Sequence, residues 1–137
     1  MDIIVREYQE GDLEYINKIL DDAFHCVRPE GSLAGFHEVV AVADERPVGY
    51  LILTKVFNPI KNASYYLVDY VCVDGNYRGL GIGKKMMDYA YMIAKNDGAI
   101  YLQLTSSRFR VAAHKLYEKC NYMKRESDIF RKEIIWF

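Results

Sequence analysis

The sequence has little net charge, few cysteines and no long apolar run. Its 18 Lys and Arg against 19 Asp and Glu leave a formal charge of −1. No positive excess is present to hold a nucleic-acid polyanion or an acidic membrane surface, so neither partner is expected. No stretch approaches the ~18–20 apolar residues of a membrane-spanning helix. Cys26, Cys72 and Cys120 are an odd number at wide spacing, with no CxxC pair. That argues against a disulfide framework and for reduced thiols. The three histidines are scattered and form no cluster with cysteine, so no metal site is expected. Met1–Val5 is followed at once by Arg6 and Glu7, which is no signal peptide. The expectation is a cytoplasmic protein, and the Asn62-Ala63-Ser64 sequon carries no weight there. Repeats, low-complexity stretches and linkers are missing too.

What is present fits one domain spanning residues 1–137, by the usual prior of ~100–200 residues per domain. Twelve tyrosines suit amphipathic surfaces such as clefts or a subunit interface, as well as core. Asp2–Tyr8 reads as a strand, and Asp12 as the N-cap of a helix striped with Leu13, Ile16, Leu20, Ala23 and Phe24. Val27–Gly35 is a loop, either a substrate lid or an ordinary connection. Strands are predicted over Glu38–Ala43, Val48–Phe57 and Tyr65–Val73, with Gly49 a candidate bulge. A helix over Ile82–Asn96 ends at Gly98. A strand at Ile100–Thr105 precedes a helix over Phe109–Lys119 that Ser106 or Ser107 could cap. Asn121–Lys124 and Asp128–Trp136 read as a closing pair of strands. The order β-α-β-β-β-α-β-α-β-β predicts an α/β mixed sheet with helices on both faces and one parallel crossover.

The chain is organised around Val71–Lys85, which runs from apolar strand through a Gly-rich turn into a helix. The turn, Asp74–Gly83, holds four glycines and Arg78. Glycine lacks Cβ, so a ligand can approach the backbone closely. The helix start offers unpaired N–H groups and the positive end of the helix dipole. Together these suit a phosphate-type anion, with Arg78, Lys84 and Lys85 nearby in sequence. A Walker loop needs Gly-x4-Gly-Lys-Ser/Thr, but Lys85 stands at the Ser/Thr position and Arg78 at the first Gly. A dinucleotide fingerprint needs Gly-x-Gly-x-x-Gly, whereas the spacing is Gly79-x-Gly81-x-Gly83.

Arg78, Gly81 and Gly83 instead fill Arg/Gln-x-x-Gly-x-Gly/Ala behind a Val-x-Val strand. This resembles the acyl-CoA motif of the GNAT superfamily of N-acetyltransferases. The segment Arg110-Val-Ala-Ala-His114-Lys-Leu-Tyr117-Glu-Lys-Cys-Asn121-Tyr122 resembles a second pattern of that family. It departs at Arg110, in place of Asn, and at Asn121, in place of Gly. Asn tolerates the left-handed turn that Gly supplies.

The resemblance implies the GNAT acyl-CoA N-acyltransferase fold and acetyl-CoA as co-substrate. Backbone N–H groups of Arg78, Gly79, Leu80, Gly81, Ile82, Gly83 and Lys84 would cradle the pyrophosphate. Main-chain groups of Val71, Cys72 and Val73 would pair with the pantetheine arm. Tyr117 aligns with the tyrosine that acts as general acid toward the leaving thiolate, and a phenol of pKa ~10 suits that role; the alternative is a core tyrosine. Cys72 as a nucleophile lacks an activating neighbour in sequence and reads as a packed thiol. Asp69 is the leading candidate base, with a hydrogen-bonded structural Asp as the alternative. By alternation it shares a face with Val71 and Val73, unless a bulge intervenes. His25, His37 and Glu38 are weaker candidates, and His114 reads as a packing or surface residue.

The implied activity is direct attack of an amine on the bound thioester, with a small-molecule amine the favoured acceptor. A protein N-terminus or lysine is one alternative, and a non-catalytic acyl-CoA-binding module the other. A homodimer is a further expectation. Ile134-Ile135-Trp136-Phe137 would either sit at its interface or finish the core.

Overall fold

The computed structural model describes residues 1–136. Strands β1 (Ile3–Glu7), β2 (Phe36–Ala43), β3 (Arg46–Asn58), β4 (Ala63–Val73) and β5 (Leu102–Gln103) form one sheet in the order β1-β2-β3-β4-β5. Neighbours are antiparallel except β4 and β5, which are parallel. Helices α1 (Leu13–Phe24), α2 (Ile82–Asn96) and α3 (Val111–Lys119) complete the fold. This is the mixed sheet with helices on both faces that the hydrophobic periodicity predicts.

Each face buries one helical stripe. Ile16, Ile19 and Leu20 of α1 pack on Val40, Tyr50 and Cys72. On the other face Ile82, Met86, Met87, Ala90 and Ala94 of α2 pack on Val39, Leu51, Leu53 and Val68. Full burial of each large side chain contributes about 1.5–3 kcal/mol. Gly49 lets α2 approach the sheet: a Cβ there would meet Met86 Sδ at 2.9 Å. The register slips beside it, between Ala41 and Val42, as a bulge.

Local readings hold less well. The Asp12 carboxylate does not cap α1; it takes two hydrogen bonds from Arg6, at 2.7 and 2.9 Å, and one from Gln9 N–H. Neither Ser106 nor Ser107 occupies the N-cap of α3, which is Arg110. β5 is two residues, not six.

The expected closing strands do not form. Residues 121–136 carry no strand, and Ile129, Phe130, Ile134, Ile135 and Trp136 are 68–93 % exposed. They do not finish the core; Phe137 lies outside the described residues. A strand needs a partner edge, and β-branched and aromatic composition alone does not supply one.

Candidate functional site

The Gly-rich turn is pinned to the β2–β3 hairpin. Asp74 N–H donates to Val48 O at 2.7 Å, and the Asp74 carboxylate accepts from Asn76 N–H at 2.9 Å. The buried Tyr77 donates its hydroxyl to Asp44 at 2.9 Å, and its ring lies under the Arg46 guanidinium. Beyond this anchor, Arg78, Gly79, Leu80 and Gly81 are exposed. Gly79 and Gly81 have φ of 77° and 78°, with nothing within 4 Å of a built Cβ. Gly81 is the N-cap of α2, and no side chain caps the helix. The first-turn amides have no intrahelical acceptor. Gly83 differs: a Cβ there would meet Leu116 Cδ2 of α3 at 2.8 Å. Its side-chain-free surface serves helix packing, which the sequence reading did not anticipate. Lys84 is exposed and paired with Asp88 at 2.8 Å.

Upstream, β4 is paired with β5 only at Tyr66–Leu102 and Leu67–Gln103. Beyond Leu67 its outer edge has no sheet partner among the described residues, so the main chain of Val71, Cys72 and Val73 borders an open edge. β4 also contains a bulge. Cys72 pairs with Tyr50 but Asp69 with Ile52, and Tyr70 takes φ 56°. The extra residue reverses the alternation. Val71 and Val73 pack with α2, whereas Asp69, opposite Ile52, lies on the α1 side of the sheet. The shared face expected from simple alternation is therefore corrected by the bulge. Partial burial raises the Asp69 carboxyl pKa above its ordinary value.

Helix α3 brings the second segment to this edge. Tyr117 is buried; burial raises its phenol pKa, Arg110 opposes the rise, and the Cys72 thiol adds to it. Tyr117 and Arg110 are therefore within electrostatic reach of Cys72. Arg110 also covers the Phe24 ring at 4.6 Å, and Phe24 meets Tyr70 edge-on at 5.3 Å. Burial pushes the Cys72 thiol up to about 12; a thiol protonated at neutral pH is a poor nucleophile. His114 Nε2 lies 2.8 Å from Ser107 O and serves the turn before α3.

Sequence reasoning missed a buried network behind the loop after α1. Arg28 and Glu38, with side chains 2 % and 7 % exposed, form a bidentate pair through Nε and Nη2. Tyr50 donates its hydroxyl to Glu38 at 2.6 Å. Arg28 also donates to Pro29 O and Gly31 O, at 2.6 and 2.9 Å, and its guanidinium stacks on Tyr8 at 4.0 Å. Asn17 of α1 holds the Arg28 backbone. Burial, then the bond to Glu38, drives the Tyr50 phenol pKa far up. Glu38 is thus fully engaged and not free to act as a base; His37 is likewise paired with Glu7 at 2.6 Å. The signal available in sequence was a Glu inside an apolar strand, which demands a partner. The network walls a cleft of about 850 Å³ lined also by Glu7, Glu10, Leu13, Glu30 and Leu33. Glu38, Ile52 and Asp69 lie in one cross-strand row, which puts Asp69 roughly 10 Å from the cleft floor at the usual strand spacing.

Among the described residues no group of His, Cys, Asp or Glu is placed to hold a metal ion, the cysteines are free, and no helix is long and apolar enough to cross a membrane. Comparison with known proteins gives a fold and a family. A solved transcriptional regulator from Bacillus halodurans C-125 matches with TM-score 0.84 at 24 % identity, over 97 % of this chain and 100 % of that one. An aminoglycoside acetyltransferase from an uncultured soil metagenomic sample matches with TM-score 0.84 at 16 % identity, over 97 % and 96 %. A ribosomal-protein-alanine N-acetyltransferase from Brucella melitensis biovar Abortus 2308 matches with TM-score 0.82 at 19 % identity, over 97 % and 99 %. At these identities the likeness is one of fold. No curated protein matches by sequence. Residues 1–122 match the model of the acetyltransferase (GNAT) family. With that match over most of its length, the chain belongs to the acetyltransferase (GNAT) family.

Proposed function

We propose that this single-domain protein transfers an acetyl group from acetyl-CoA to the amine of a small molecule. The observation that carries the reading is the meeting of three features at the open edge of β4. They are uncapped N–H groups at the start of α2, an outer edge along Val71–Val73 that has no strand partner among the described residues, and the protonated phenol of Tyr117 in electrostatic reach of Cys72. Backbone N–H groups from Arg78 to Lys84 hold the pyrophosphate, with the Arg78 side chain adding charge. Gly83 contributes its N–H and the close packing of α3. Val71, Cys72 and Val73 hold the pantetheine arm by main-chain bonds.

The thioester supplies an activated acyl carbon. The amine nitrogen attacks it, a C–N bond forms, and the C–S bond breaks. Asp69 takes the amine's proton, and its raised pKa favours that role. Tyr117 gives its proton to the departing thiolate. The Glu7, Glu10 and Glu30 carboxylates along the cleft suit a cationic acceptor, and the cleft floor lies close enough to Asp69 for an extended amine to bridge the two. Free thiols suit the cytoplasm, and a homodimer is the proposed assembly.

The test is release of free thiol from acetyl-CoA in the presence of a panel of small amines and, separately, of peptides. Release with small amines and not with peptides is expected. Release with peptides alone would move the acceptor to proteins. Tight acetyl-CoA binding with no release for any amine would make the protein a non-catalytic acyl-CoA-binding module.

A further inference from the structure

One side chain ties together three elements that border the cleft after α1. The Arg28 guanidinium pairs with Glu38 of β2 and stacks on the Tyr8 ring just after β1, at 4.0 Å. It also donates to Pro29 O and Gly31 O of its own loop, at 2.6 and 2.9 Å. Tyr8, Arg28, Gly31 and Glu38 all line the cleft.

The loop has little else to hold it. Residues 29–35 carry no helix or strand. Among the described residues their one backbone-to-backbone hydrogen bond runs from Phe36 N–H to Leu33 O, at 3.3 Å. Gly31 sits at φ 89° with no atom within 4 Å of a built Cβ, so packing does not fix it. The carbonyls on either side of Glu30 therefore end on a single guanidinium. Only the planar fork of Arg reaches a carboxylate and two carbonyls at once; a Lys ammonium does not. Stability alone does not call for such an arrangement, because apolar residues of similar volume often replace a buried ion pair without loss.

We infer that Arg28 is a positioning residue for the acceptor. It holds residues 29–33 as a preformed wall of the cleft, so the amine meets a fixed surface and not a lid that closes over it. This rests on the cleft being the acceptor site of the proposed acetyl transfer. A wall already in place spares the acceptor the cost of ordering it. None of the Arg28 hydrogen bonds reaches the Gly-rich turn or Tyr117, so its loss falls on acceptor binding and not on the chemical step.

The experiment compares the full chain with Arg28→Lys, using spermidine, kanamycin and phenylethylamine as acceptors and thiol release as the signal. A wall in place for about one-tenth of the time raises the acceptor KM about 10-fold. That rise is expected with kcat and acetyl-CoA affinity unchanged. A glutamate-specific protease reads the loop without any acceptor: cleavage after Glu30, followed by mass, is expected to accelerate in Arg28→Lys, because cleavage tracks the open population. Tyr66→Phe is the stability control. It loses the hydroxyl bond to Asp97 on the α2 face of the sheet, and is expected to lower the unfolding temperature with KM and Glu30 cleavage unchanged. Should Arg28→Lys fail to fold, Gly31→Ala takes its place; it disfavours the held loop conformation, leaves the buried pair intact and is expected to raise KM and cleavage alike. A folded Arg28→Lys with wild-type KM, or with wild-type cleavage after Glu30, would overturn the inference. So would a KM rise of equal size in Tyr66→Phe. No thiol release with any of the three amines removes the acetyl-transfer reading instead, and the cleavage rate then decides whether Arg28 holds the wall.

Discussion

Two loops leading from the α1 and β4 elements are built on opposite plans. The Gly-rich turn is anchored at its base by Asp74 N–H to Val48 O and by Tyr77 to Asp44, 33 residues away, but beyond that anchor it presents bare main chain at Gly79 and Gly81. The loop after α1 is held by side chains that meet across the fold. Arg28 and Glu38 are 10 residues apart in sequence, and Tyr50 and Glu38 are 12. A main-chain site needs only the absence of side chains and a helix start, so it is written locally. A latch built from a buried charge pair needs register, burial and a third partner, so it exists only in the assembled fold.

Breaking the latch should have the largest effect on stability. Glu38→Ala leaves the Arg28 guanidinium buried without its counter-charge, a loss of about 3–5 kcal/mol. Urea unfolding should show it, and a midpoint close to wild type would mean that the loop is not held by this pair.

Tyr117→Phe comes next. It removes the proposed proton donor while keeping the ring, so turnover should fall about 100-fold with acetyl-CoA affinity unchanged. Unaltered turnover would return Tyr117 to the core.

Gly81→Asp places a carboxylate at the proposed phosphate-binding start of α2, where it would repel phosphate. Acetyl-CoA affinity should drop roughly 100-fold, while the positive φ of Gly81 costs only about 1–2 kcal/mol of fold stability. Titration calorimetry paired with thermal unfolding separates the two. Gly83→Ala sharpens the contrast within the loop. Its Cβ presses on Leu116, so stability should fall by about 1–3 kcal/mol, with turnover falling further than acetyl-CoA affinity because α3 carries Tyr117.

The smallest effect concerns Asp69. Its folded pKa lies above the unfolded value because burial disfavours the charged form. Such a group binds its proton more tightly when folded, so its contribution to stability is greatest at low pH and declines as pH rises through the carboxylate range. Asp69→Asn should therefore be neutral to slightly stabilising at pH 7, with the difference shrinking below about pH 3. If Asp69 is the base, the same variant loses the acid limb of the activity profile.

The partial legibility of the site has physical causes. Gly79 and Gly81 were readable because open space and positive φ are what a turn of that spacing requires. Gly83 looked the same in sequence yet faces Leu116, and only helix packing separates the two uses of one residue type. The sequence left the face of Asp69 dependent on whether a bulge intervenes, and the bulge at Tyr70 is set by pairing with β3. Glu38 was flagged as a base, but Arg28 and Tyr50, which occupy it, were not recognised. The closing strands were predicted from composition, which cannot say whether a partner edge is available within the same chain.

The sequence by itself determined the mixed α/β order, the stripe of α1 and the glycine-rich start of α2. Each of these is a periodicity or a spacing along a few dozen residues. Only the tertiary structure decided which glycine packs and which stays open, which side of the sheet Asp69 occupies, that Glu38 is locked by Arg28 and Tyr50, and that the apolar tail lies off the body. Those outcomes depend on strand register and on helix-to-sheet contact, which are set by the whole chain at once.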